Sequence, residues 1–191
     1  MTSTSGTTNY MSNTSILTWM EEKTEGIYGQ MRTAMDSSND RADAEDALNK
    51  IKGKIADAAA NGTDATQLQA DLRDAIHKYG AEFPDLTKTL QPILDDITKR
   101  HDQNVYASTH AYGAFGVMEL RAVDPVKIDK DTSDRWGKEI SDQVDAFGKT
   151  DQLGMVNIQE FNSQLNQAKN TASALMDSAD KATQNIISHI A

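Results

Sequence analysis

With 191 residues, a net charge of −10 and a pI near 4.7, the chain lacks the positive surface that nucleic-acid phosphates or anionic lipids require. It contains no cysteine, which excludes disulfides and thiolate metal sites. An apolar content of 38%, a mean hydropathy of −0.61 and an aromatic content of 6% argue against large aromatic-lined pockets. They fit an elongated coiled coil, in which only two positions in seven need be apolar.

The first thirteen residues are mostly Ser, Thr, Asn and Gly, too polar to offset the entropy of ordering, and are expected to be disordered. They also lack the basic and apolar regions of a Sec-type signal peptide, and no stretch of the chain is apolar enough to span a membrane. A first helix is predicted from Thr14 or Ser15. Leu17, Met20, Thr24, Ile27, Met31 and Ala34 keep a three-four rhythm, and a second seam follows at Ala44, Leu48, Ile51, Ile55 and Ala58. The polar stretch Asp36 to Asp40 shifts the phase between them, as a stutter in one long helix or as a break. The continuous helix is the favoured reading, ending at Asn61-Gly62 where Gly supplies a left-handed cap.

Thr63 or Asp64 then caps a short helix bearing Leu68, Leu72, Ile76 and Tyr79, ended by Gly80. Pro84 marks a break. Asp85 is expected to cap a further helix with Leu86, Leu90, Ile93, Leu94 and Ile97, kinked or shortened by Pro92. Residues Asn104 to Ile128 have poor periodicity and read as a hairpin or irregular loop. Asp131 or Thr132 caps a helix through Trp136, Ile140, Val144 and Phe147, and a separate final helix is expected after Gly148.

That final helix carries the most regular pattern in the chain. Ile158, Phe161, Leu165, Ala168, Ala172, Leu175, Ala179, Ala182 and Ile186 recur in alternating steps of three and four. From Ile158 to Ile190 it would extend about 50 Å. Small residues at its centre bury little area each, so such a helix needs a long partner. The fold expected is all-α. Long N- and C-terminal helices form an antiparallel coiled-coil hairpin over one elongated domain, residues 14–190, with a mixed, partly irregular insertion at 61–130. The self-assembly interface is assigned to Leu17, Met20, Ile27, Met31, Ile158, Phe161, Leu165, Leu175 and Ile186, packing within and between subunits.

Chemistry is sparse. His77, His101, His110 and His189 have no metal-ligand spacing. Asp124, Asp129, Asp131 and Asp134 cluster, but without the alternating ligands, central Gly and terminal Glu of a calcium loop, so helix capping in a solvated acidic loop accounts for them. No nucleophile elbow, phosphate-binding loop, dinucleotide fingerprint or zinc-protease motif occurs. The expectation is a protein that is not an enzyme and has no cofactor or metal.

The segment Val156-Asn157-Ile158-Gln159, followed by Phe161, Ser163, Leu165 and Asn166, resembles the C-terminal helix of type III secretion system translocon-filament and needle-tip proteins, the EspA/SseB/EseB group. Upstream, Lys138, Ile140 and Asp145 lie in a helix like the one that precedes the tail in that group. The resemblance covers residues 132–190 and is architectural only over 16–60. Length, acidity, the missing cysteines and the signal-like start at 1–13 agree with it. The N-terminal helix, reading WMEEKTEGIYGQM, is more polar than that of the group.

The resemblance implies a secreted, extracellular virulence protein at the bacterial surface, a structural subunit whose homopolymer extends the needle and delivers translocators and effectors to a host membrane. It implies a secretion chaperone, needle and translocator proteins, and other copies of itself as partners. The alternatives are a needle-tip cap of few subunits and a cytosolic helical adaptor or chaperone with an internal coiled coil.

Overall fold

The computed structural model describes residues 12–110 and 121–190, and these are all helical or without regular structure, with no strand among them. Four helices follow in order: α1 Asn13–Asn61, α2 Leu68–Tyr79, α3 Pro84–Thr109 and α4 Lys130–Ile190. A 3₁₀ turn at Ala65–Gln67 leads into α2. The long N- and C-terminal helices pack against each other. Two compact units result. The central unit is Ser38–Gln152, and the terminal unit comprises the rest of α1 and α4.

The ends of the elements follow from their chemistry. Gly62 takes φ +62°, and the Thr63 N–H donates to the Ala58 carbonyl at 3.2 Å, the six-to-one bond of a Schellman cap. Asp64 accepts from the Thr66 N–H at 3.0 Å and so caps the 3₁₀ turn. Gly80, by contrast, has an ordinary helical φ of −67°. What it supplies is space, because a Cβ there would collide with Thr87 Oγ1 and the Ile76 carbonyl. α3 starts at Pro84, whose missing N–H is no loss in a first turn. Asp85 lies inside that turn instead of capping it. The cap of α4 is Asp129, one turn before Ser133: its carboxylate accepts from the Thr132 N–H at 2.8 Å and from the Thr132 hydroxyl at 2.9 Å. It displaces Asp131 and Thr132 from the capping role expected of them.

Two expected interruptions do not occur. α3 runs through Pro92, which is exposed, so the hydrogen bond it cannot make to Lys88 lies on the solvent side. Its opposite face buries Leu86, Leu90, Ile93, Leu94 and Ile97, at about 1.5–3 kcal/mol for each large side chain, which outweighs the proline penalty of about 3 kcal/mol. α3 also extends to Thr109, into the stretch expected to be irregular; residues 111–120 of that stretch lie outside the described residues. Likewise α4 is continuous through Gly148 and Gly154. A helical glycine costs only about 1 kcal/mol against alanine, and the neighbouring Phe147 is buried at 6% exposure.

The core belongs to the central unit. Of its twenty clustered apolar residues, twelve come from residues 65–128, the region the sequence suggests is an insertion. α1 contributes Ala44, Leu48, Ile51, Ile55 and Ala58, and α4 contributes Trp136, Ile140 and Phe147. The irregular segment before α4 is pinned as well. Val126 and Ile128 are buried, Val126 N–H donates to Asp64 Oδ1 at 3.0 Å, and Ala65 N–H donates to the Val126 carbonyl at 2.9 Å. The middle region therefore supplies most of this core. Arg41 pairs with Asp151, and Lys52 donates to Ser141 at 2.5 Å, joining α1 to α4 within this unit.

The terminal unit is thinner. Among the described residues it holds five of the 25 buried apolar ones: Ile16 and Ile27 on α1, and Leu165, Ala168 and Ala172 on α4. Asn13 donates to Asp180 at 3.1 Å between the two helices. The expected seam needs one change of phase at its start, since Ile16 is 1% exposed whereas Leu17 is 46% exposed. The signal-like start, up to residue 11, lies outside the described residues.

Candidate functional site

Two features stand out: an unequal distribution of exposed apolar side chains, and a charged cluster where apolar seam residues are expected. Among the described residues, nine of the eleven exposed large apolar ones lie in the terminal unit. On α1 these are Leu17, Tyr28 and Met35. Their spacings of eleven and seven place them within about 20° of one another around the helix, forming one stripe beside the seam. On α4, Leu153, Met155 and Val156 are 66%, 60% and 57% exposed within one turn, and Leu175, Ile186 and Ile187 follow towards the end.

The residues assigned to the self-assembly interface therefore separate into three groups. Ile27 and Leu165 are buried within the chain, and Met20, Met31, Ile158 and Phe161 are half-buried. Leu17, Leu175 and Ile186 remain exposed. The exposed residues that periodicity missed are Tyr28, Met35, Leu153, Met155, Val156 and Ile187. Their signal is an apolar side chain lying off the main seam, visible only once the seam's phase is known.

The charged cluster resolves the phase shift read at Asp36 to Asp40. Met20 and Ile55 are five heptads apart, and the seam positions between them include Thr24, Ile27, Met31, Ala34, Ser38, Arg41, Glu45, Leu48 and Lys52. All are buried or half-buried. The seam does not break; it turns polar. Arg41 is held by Asp151, and the Ser38 hydroxyl donates to the same Asp151 Oδ1 at 3.4 Å. The guanidinium carbon lies 5.9 Å from the Phe83 ring, which meets Phe147 edge-on at 5.1 Å. Glu45 Oε1 is shut off from solvent and makes no hydrogen bond. Burial pushes the Glu45 carboxyl up, Asp151 adds to the effect, and Arg41 opposes it.

A shallow groove between α1 and α2 has an apolar floor of Ala47, Ile51, Ala75 and Tyr79. Its rim lysines are engaged: Lys50 with Asp46 at 2.6 Å, Lys54 with Asp71 at 2.6 Å and Lys78 with Asp43 at 3.9 Å. Compensated charges of this kind do not make an anion site. Among the described residues no three His, Asp or Glu side chains are grouped to hold a metal ion. His110 stacks on Tyr106 at 4.1 Å, and Asp129 serves α4 as its cap. None of the described helices is long and apolar enough to cross a membrane. No family model, curated protein or solved structure matches the chain.

Proposed function

We propose that this chain is a self-assembling structural subunit of the translocon-filament kind, exported by a type III secretion system and polymerising outside the cell to extend the needle. The observation that carries the reading is the contrast between units. Among the described residues, the central unit gathers its apolar side chains into one buried core, whereas the terminal unit buries five apolar residues and exposes nine large ones. Exposed apolar side chains recurring along a helix are suited to contact with another helix. The likeness of residues 132–190 to filament and tip proteins supplies the biological setting.

In this reading α1 and α4 run antiparallel. Within the central unit, Arg41 meets Asp151 and Lys52 meets Ser141, so advance along one helix is retreat along the other. The stripe Leu17, Tyr28, Met35 and the exposed side chains of Leu153, Met155 and Val156 then receive helices of neighbouring copies. A chaperone covers these residues before export, and needle and translocator proteins meet the assembled polymer. A second reading, a monomeric helical adaptor inside the cell, is favoured by the self-contained central core. Negative-stain electron microscopy of the purified chain separates the readings: filaments are expected, small rings would indicate a tip cap, and isolated particles would support the adaptor.

A further inference from the structure

The cluster at the α1–α4 contact brings a cation together with two carboxylates. Arg41 and Glu45 sit one turn apart on α1, and Asp151 faces them from α4. The turn between α2 and α3 presents an aromatic ring, Phe83, to Arg41, and Phe147 of α4 lies behind that ring. Asp151 has two partners, Arg41 and Ser38. Glu45 has an oxygen sealed from water without any. A carboxylate in that position carries a desolvation cost that a neutral carboxyl does not.

We propose that Ser38, Arg41, Glu45 and Asp151 form a proton-operated clasp between α1 and α4, tightened when Glu45 binds a proton and loosened when the proton leaves. The bound proton removes the second negative charge from beside Asp151. It also gives Glu45 an O–H donor in a cluster where Asp151 is a charged acceptor. Arg41 stays paired with Asp151 throughout. The sign follows from linkage: a carboxyl raised in the folded state above its ordinary 4.5 takes up its proton more readily folded than unfolded. Its contribution therefore grows as pH falls through the folded value towards 4.5, and is lost as pH rises. This direction is opposite to that of the chain's hydrogen-bonded carboxylates, such as Asp64.

The test is thermal unfolding of the full chain from pH 8 to pH 4.5, followed by circular dichroism, for wild type, Glu45→Gln, Asp151→Asn and the double variant. Glu45→Gln keeps the shape and supplies a neutral donor. It is expected to raise Tm by about 2–4 °C at pH 8, with the gain shrinking towards zero by pH 4.5. In the Asp151→Asn background, where the neighbouring charge that adds to the effect of burial is gone, the gain should shrink. A difference that stays constant with pH, a lower Tm for Glu45→Gln at pH 8, or an undiminished gain without Asp151 would overturn the clasp.

Discussion

Asp64 shows how one side chain holds a fold that has few loops to spare. One of its oxygens accepts from both the Thr66 and Val126 N–H groups, linking the start of α2 to the segment before α4. Burial works against its charge, but hydrogen bonds from Thr66 and Val126 prevail and lower its pKa. A depressed carboxyl stabilises the fold above its unfolded value and loses that contribution as pH falls through the folded one. Asp64→Asn should therefore cost about 1–2 kcal/mol at pH 7 and much less in acid, checked by urea unfolding followed through the buried Trp136. Gly80 offers a second residue-scale test. Gly80→Ala places a methyl against Thr87 Oγ1 and the Ile76 carbonyl, so a loss of about 1–3 kcal/mol is expected by the same assay. The capping role of Asp64 was visible in the sequence, though not its bond to Val126; the collision at Gly80 was not, since its φ is ordinary and the clash arises from the approach of Thr87 on α3 and from the Ile76 carbonyl of α2.

At the scale of elements, periodicity identified α1, its end at Asn61, and the inward rows of α2 and α3. It failed where one local rule was overridden by packing. Pro92 suggested a kinked or shortened helix and Gly148 a break, yet both lie within continuous helices whose other faces are buried. The seam of α1 seemed to shift phase because Ser38, Arg41 and Glu45 are polar, and a hydropathy pattern cannot distinguish a polar seam residue from a surface one. The same pattern could not choose between Ile16 and Leu17, adjacent apolar residues at the end of a helix. Leu90 tests the element-scale account. It is fully buried on the face opposite Pro92, and Leu90→Ala should cost about 2–5 kcal/mol, whereas Pro92→Ala should stabilise α3. Equilibrium denaturation of the two variants provides the comparison.

Over the whole molecule, the division between a closed core and an apolar terminal unit governs both stability and the proposed assembly. With five buried apolar residues, the terminal unit should open first in dilute protein: amides of residues 16–35 and 158–182 are expected to exchange faster than those of α3. Uniform protection would contradict that ordering. The all-helical class and the two long helices were legible from the sequence. That residues 65–128 supply most of the core was not, because short amphipathic helices give no sign of which partner they cover. Nor could heptad spacing disclose the exposed stripe, since Tyr28 and Met35 lie off the seam it describes. The most direct measurement of self-assembly is sedimentation velocity across a concentration series for wild type, Tyr28→Asp and Val156→Asp, whose substituted positions are exposed. Concentration-dependent polymers of wild type, lost in both variants with helicity unchanged, are the predicted result; a wild-type monomer at every concentration, or polymers that persist in both variants, would contradict it.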